Sequence, residues 1–454
     1  MHQTYTILQK ILLFLRLAAP ITVTQFALLA GSFFAVFLTG QYSTTALAGM
    51  SIGYNIWIAI FMGINGVLMG IIPIIAQLLG ADKKENIPTI IRQGLYVATF
   101  FGIAFIGLGA LFLRPVLLFL GLEPAAYAVA VDYMTAIACG IFPLLWTCVL
   151  RNTVDAHGYT HISTMVIVSS FILNVILNYI CIFGISGFVP TLGGFGAGVA
   201  STISWWYNFI VYSLIIHYKK PFAQYHVFHR LGRPLWLFIR EQLSIGIPIG
   251  IAMFAEVSIF SASTLLMAQY GTNIIAAHSA ALSFTNLFYS LPVSISAAAT
   301  IAVGYEVGAK RFKAARYYSH MSRILAIICA ALICSYSFTH MEQISALFTN
   351  DPGMIDLIGS FLTYAVFFTV IDAFGTPLQG VLRGYKDVKI ISYIAIASYW
   401  GTTVPLVYIC SDRFGYGPYG VWIALLASVA VASICYTIRV WYIQHKRYPT
   451  EDII

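Results

Sequence analysis

Hydrophobic positions in this chain do not alternate with polar ones. They run on for about 20 residues at a time, with short polar breaks between, and that length is what an α-helix needs to cross a bilayer's hydrocarbon core. The pattern predicts twelve spans, near residues 17–39, 50–78, 94–118, 129–153, 162–184, 194–217, 242–270, 276–305, 322–340, 354–382, 390–411 and 418–442. A closed β-barrel also satisfies its backbone in lipid, but its strands read as short alternating segments. Lys10 and Arg16 precede an apolar run that continues to Thr39, longer than the core of a cleavable signal, so a retained first span is expected.

Composition supports the same class. The 454 residues are 60% hydrophobic and 9% charged. Water-soluble domains carry about 25% charged residues, so the expected partner of most of this surface is the lipid bilayer. The net charge of +8 is not a nucleic-acid footprint, because it is sorted by loop. If both termini share one side, that side holds 22 of the 24 Lys and Arg, and the other keeps only Arg114 and Arg413. Basic loops stay in the cytoplasm, which predicts cytoplasmic termini and a place in the cell membrane. The seven cysteines stand singly in or beside apolar runs with no CxxC pair, reading as small packing residues and not as a disulfide or metal framework.

The longest basic polar segment, Lys219–Arg240, lies near the middle and divides six spans from six. The expected division is therefore residues 1–218, a linker loop at 219–240, and residues 241–454. The halves repeat. A shift of 228 places Pro20 on Pro248, Gln41-Tyr42-Ser43-Thr44 on Gln269-Tyr270-Gly271-Thr272, and Gly80-Ala81 on Gly308-Ala309. A shift of 232 places Val149-Leu150-Arg151 on Val381-Leu382-Arg383. Six spans per half give both halves one orientation, so the expected architecture is an all-α polytopic membrane protein with two six-helix bundles related by a pseudo-two-fold along the membrane normal. Transport by alternating access is the usual use of that architecture. Gly80 and Gly308 are expected as glycine stops of spans two and eight, and the prolines within spans as kinks or ends.

Of the sixteen acidic residues, two lie well inside apolar runs: Glu256 in the stretch Pro248–Gly271, and Asp372 in TYAVFFTVIDAFGTPLQG. A carboxylate at bilayer depth costs about 2.5–3.5 kcal/mol on insertion scales. Asp132, Asp155 and Glu306 are placed at span ends, within reach of water, and no Lys or Arg is expected at depth as a counter-ion. Two deep carboxylates without a fixed cation read as a site for a mobile one: H⁺, Na⁺ or a cationic substrate. The competing reading is a pair of protonated acids hydrogen-bonded for packing. The first half has Leu28 and Gly140 at the corresponding positions, but carries Asn174 and Asn178 on one face of span five. Interhelical hydrogen bonding is the simpler use of that pair. His278 reads as a structural histidine able in principle to titrate. Trp57, Phe61, Phe288, Tyr289 and Phe368 are candidates to line a pocket for flat organic cations. No HExxH or His/Asp cluster supports an enzyme, and no cofactor is implied.

The stretches LAAPITVTQF, AEVSIFSASTLLMAQYGTNIIAAH, LPVSISAAATIAVGYEVGA and IDAFGTPLQGVLRGYKD, with the paired Gly-Ala after spans two and eight, resemble the multidrug and toxic compound extrusion (MATE) transporters, in their NorM-like branch. The resemblance runs over essentially the whole chain. It implies exchange of external Na⁺ or H⁺ for an amphipathic organic cation by a monomeric antiporter, with Glu256 and Asp372 in a cation site of the C-terminal lobe. Relatives carry an aspartate in span one where this sequence has Ala35. The resemblance therefore implies coupling through the C-terminal pair, with Asn174 and Asn178 lacking that partner. A lipid-linked saccharide flippase of the same broad superfamily is the alternative, and it predicts a cationic cavity.

Overall fold

The computed structural model describes residues 3–185, 190–229, 232–349 and 351–449. Part of the central loop (Arg230, Leu231) and the tail acids Glu451 and Asp452 lie outside the described residues. Among the described residues, twelve helices are long and apolar enough to cross a membrane: α1 Ile7–Tyr42, α2 Thr44–Gly80, α3 Lys84–Phe119, α4 Pro124–Ala156, α5 Thr160–Phe183, α6 Gly193–Tyr218, α7 Trp236–Tyr270, α8 Thr272–Gly308, α9 Phe312–Thr339, α10 Pro352–Gly384, α11 Val388–Ser411 and α12 Pro418–Arg447. Each span read from hydropathy falls within one of them, apart from one residue of overrun at Gly184 and at His340. The fold is that of an all-α polytopic membrane protein.

Local signals start the helices where expected. Ser43 caps α2 by accepting from the Ala46 amide, and Asp351 caps α10 by accepting from Gly353 N at 3.1 Å, with Pro352 at the first helical position. The outer face of α3 exposes Phe100, Leu108, Leu111, Phe112 and Phe119, as suits a helix surrounded by lipid.

The described chain forms two compact units. One comprises Met1–Thr22, Ala76–Asp82 and Ile251–Ile454, and the other Val23–Ile75 and Lys83–Gly250. These bounds depart from a simple cut at the central loop: three boundaries fall inside helices α1, α2 and α7. Each of those lies two residues after a proline, at Pro20, Pro73 and Pro248. Proline removes a backbone hydrogen bond and crowds the preceding turn, so a helix changes direction most readily there.

In the unit containing residues 251–454, α10 packs against α8, α9 and α12. In the other unit α4 holds the corresponding place, against α2, α3 and α6. Small residues allow the close approach that substitutes for hydrophobic drive in lipid. A Cβ on Gly80 would overlap the carbonyl of Tyr305, and one on Gly308 would overlap the carbonyl of Gln77. Both pairs lie in the same unit, and both members are related by the 228-residue shift.

The left-handed backbone positions that follow belong to Asp82 (φ 56°) and Lys310 (φ 60°), also 228 apart. Gly80 and Gly308 do end their helices, as expected, but without the left-handed backbone of a glycine stop; the backbone contact is what requires glycine.

Candidate functional site

Both deep acids sit in the unit that holds residues 251–454. Glu256 lies on α7 and is 9% exposed; Asp372 lies on α10 and is 3% exposed. The Tyr289 phenol on α8 donates to Glu256 Oε1 at 2.5 Å, and Thr376 Oγ1, one turn along α10, donates to Asp372 Oδ1 at 2.7 Å. Asp372 Oδ2 is buried without a hydrogen-bond partner. The two carboxyl groups lie within electrostatic range of each other. Tyr399 of α11 and Tyr436 of α12, both buried, are in range of both. Side chains from five helices therefore converge on one volume.

The surroundings hold that arrangement in place. A π-helical segment, Ile396–Trp400, interrupts α11 beside the site. Such segments shift the register of the residues around them and recur at functional sites. Here Tyr399 is turned inward, while Trp400 Nε1 donates to Ala255 O at 3.2 Å and Ser258 Oγ at 3.1 Å on α7, bracketing Glu256. On α10, Gly380 packs its Cα against the Ser296 carbonyl of α8, and Thr300 Oγ1 donates to Gly380 O at 3.0 Å.

Several expectations about charge are corrected. Arg383 was placed one residue beyond its span, yet α10 continues to Gly384 and the side chain is 8% exposed. It lies within electrostatic range of Glu256 and Tyr289, so a buried cation answers Glu256 from the last turn of α10. Asp155 and Glu306 are not open to water. Asp155 is 7% exposed and pairs with Arg151 at 3.5 Å; Glu306 is 1% exposed and accepts from Arg311 Nε. Hydropathy locates span ends along the chain, but it does not reveal which arginine folds back over them.

The other expected residues distribute as follows. Phe368 is buried on α10 with its ring 5.5 Å from Phe260, and Phe288 packs at 4.7 Å from Phe284. His278 is fully buried: Nε2 faces Ser263 Oγ at 3.4 Å and Thr264 Oγ1 at 3.3 Å, against the Trp422 ring. It stands 11 positions before Tyr289 on α8, about 16 Å along the helix axis. That is a packing position away from the acids.

Trp57 and Phe61 belong to the other unit. There Trp57 meets Phe61 and Phe105 at 5.1 Å and Trp205 at 5.7 Å. Asn174 and Asn178 lie in that unit too. Asn174 Nδ2 donates to Ser204 Oγ of α6 at 3.1 Å, and Asn178 Nδ2 donates to Asn174 Oδ1 at 2.9 Å. They form an interhelical bond, and the Asn178 Oδ1 acceptor is left without a partner. At Ala35, the backbone carbonyl accepts from Thr39 Oγ1 at 2.8 Å.

The sequence did not mark Tyr289 as a carboxylate partner, presented Arg383 as a loop charge, and gave no site role to Tyr399, Tyr436 or Thr376. One signal was available: Thr376 follows Asp372 by four residues, one helical turn.

Twelve spanning helices, a duplicated chain and buried carboxylates clustered at depth define a polytopic membrane transporter. The MatE family profile matches residues 20–180 and again residues 248–409, two segments whose starts are 228 apart. "Probable multidrug resistance protein NorM" of Oceanobacillus iheyensis is 39% identical over 446 residues, 98% of this chain and 100% of that protein. The Bacillus subtilis protein of the same description is 40% identical over 454 residues, covering 100% of each chain. Among solved structures, the eukaryotic MATE transporter AtDTX14 superposes with a TM-score of 0.86 at 20% identity, covering 97% of this chain and 98% of that one. A variant of the Vibrio cholerae MATE transporter VcmN gives 0.86 at 16% identity, covering 96% and 98%. The chain belongs to the MatE family; it is a transporter and not an enzyme.

Proposed function

We propose that the chain is a secondary antiporter that exports amphipathic organic cations, in exchange for Na⁺ or H⁺ entering at Glu256 and Asp372. The observation that carries this reading is the buried carboxyl pair, within electrostatic range of each other and with Asp372 Oδ2 left without a donor. Two like charges in a low-dielectric setting are relieved by a proton or a small cation between them, and carboxyl, hydroxyl and phenol oxygens are ligands of the right hardness. The full-length likeness to proteins described as multidrug resistance proteins supports organic cations as the exported class.

Coupling in this reading comes from differential affinity. The inward cation favours one facing state of the protein, the drug the other, and neither shifts the balance except by preferring one of them. The prolines at the three helix-internal unit boundaries are natural places for such a change. The protein acts as a monomer in the cell membrane, with both termini in the cytoplasm. A lipid-linked saccharide flippase would call for a cationic cavity, whereas two carboxylates against the single guanidinium of Arg383 leave this cluster formally anionic.

The test is efflux of a fluorescent organic cation such as ethidium from cells or proteoliposomes under separately imposed Na⁺ and pH gradients. Glu256→Gln and Asp372→Asn should each abolish gradient-dependent efflux. Undiminished, still gradient-driven efflux in both variants would sink the assignment. A C-terminal green fluorescent protein fusion should fluoresce, since that reporter folds on the cytoplasmic side.

A further inference from the structure

The duplication that relates the halves also relates two Arg-x-x-x-Asp motifs. Arg151 and Asp155 at the end of α4 correspond, at a shift of 232, to Arg383 and Asp387 at the end of α10. The two copies use their charges differently. In the first, arginine and aspartate pair with each other, Arg151 Nε to Asp155 Oδ2 at 3.5 Å.

In the second copy the aspartate is engaged elsewhere. Arg439 of α12 takes both carboxylate oxygens of Asp387, with Nε to Oδ2 at 2.6 Å and Nη2 to Oδ1 at 3.1 Å. Arg447 approaches the same carboxylate at 3.8 Å. Arg383 is thereby released from its own motif. Its Nη2 donates to the neutral amide of Gln379 at 3.3 Å, and its buried Nε has no hydrogen-bond partner. A full positive charge held this way is expensive unless a negative charge answers it. Glu256 is the carboxylate within electrostatic range.

We propose that Arg383 is a built-in counter-cation of Glu256, which leaves the acid pair one positive charge short of neutrality and so sets it to take a single monovalent cation. This rests on the reading of Glu256 and Asp372 as the coupling site. Glu256, Asp372 and Arg383 sum to one net negative charge when all are ionised, and Tyr289, Tyr399 and Tyr436, the titratable groups facing them from α8, α11 and α12, are neutral phenols. One H⁺ or one Na⁺ completes neutrality. Without the guanidinium the pair would hold its cation more tightly and would favour a second. By competing for Glu256, Arg383 weakens cation binding enough for release, which a transport cycle requires as much as capture.

The experiment is ethidium efflux from proteoliposomes, titrating Na⁺ at fixed pH and, separately, pH without Na⁺. Wild type is compared with Arg383→Gln, Arg383→Lys and Glu256→Gln. Arg383→Gln should lower the half-saturating Na⁺ concentration about tenfold, the size expected for loss of one nearby unit charge. It should also move the proton midpoint upward by about one pH unit, because an acid without its counter-cation protonates more readily. Arg383→Lys, which keeps the charge, should stay near wild type. If the glutamine variant does not run as a monodisperse folded protein, Arg383→Met is used with the same expected shift, since methionine's flexible chain fills the space of the arginine stem and leaves no unpaired donor. An unchanged half-saturation and midpoint in a folded neutral variant overturns the proposal. If Glu256→Gln loses gradient dependence while the Arg383 variants show no shift, only this inference falls; if Glu256→Gln remains fully coupled, the site assignment falls with it.

Discussion

Tyr289 on α8 donates its phenol to Glu256 on α7 at 2.5 Å, and this bond joins two neighbouring helices at the point where a carboxylate interrupts the apolar run that follows Gln242. The bond satisfies one acid oxygen without supplying a charge, so it orients the carboxyl group toward whatever cation arrives. Tyr289→Phe should keep the fold and the drug-binding capacity while weakening cation coupling. A hydrogen bond to a charged group contributes about 1.5–3 kcal/mol, so the half-saturating cation concentration should change by roughly ten- to a hundredfold. Ion titrations of efflux, with drug binding measured separately, check both parts.

Gly80 and Gly308 form a reciprocal contact, each backbone lying against the carbonyl three residues before the other glycine. Even one methyl has no room, and overpacking costs typically ~1–3 kcal/mol. Gly80→Ala and Gly308→Ala should each lower the thermal midpoint in detergent, whereas Gly109→Ala, where a Cβ meets nothing within 4 Å, should not. Fluorescence-detected size exclusion after heating ranks the three.

The Asp387–Arg439 pair fastens the start of α11 to α12 on both carboxylate oxygens. Forked charge-assisted bonds are about twice as strong as neutral ones, so Asp387→Asn should destabilise the protein by about 1–3 kcal/mol. Arg439→Lys, which cannot fork, should recover only part of the loss. Chemical unfolding followed by tryptophan fluorescence measures the order.

His157, just past the end of α4, is buried; its ring meets Thr153 O at 2.7 Å and Tyr225 Oη at 2.9 Å. Burial pulls its pKa down to about 4 from the usual 6.5. Between those values the unfolded chain binds the proton and the folded chain does not. The associated stability is complete above about pH 6.5 and is lost as pH falls toward 4, by up to ~3 kcal/mol. Thermal midpoints should therefore drop across that window, and His157→Asn should flatten the drop.

Much of this was present in the order of residues. A hydrophobic run of about 20 residues is a local property, and its energetics in lipid leave helix as the solution, so all twelve spans could be placed before any contact was known. The 228-residue repeat is equally local in form, and it recurs in the Gly80 and Gly308 contacts and in the φ values of Asp82 and Lys310. Glu256 and Asp372 stood out because a carboxyl group in an apolar run is costly wherever the neighbours are.

The tertiary structure decided which groups answer those acids. Tyr289, Tyr399 and Tyr436 are unremarkable in an aromatic-rich sequence, and nothing along the chain orders them about two carboxyl groups. Arg383 lies eleven residues from Asp372 and reads as a loop charge, until α10 extends past it and Arg439 claims the aspartate that would otherwise neutralise it. Insertion free energy accumulates residue by residue, and so the spans and their misfit acids are written in one dimension. Electrostatic partnership depends on distance in three dimensions and on which neighbours are already paired, and only folding sets that.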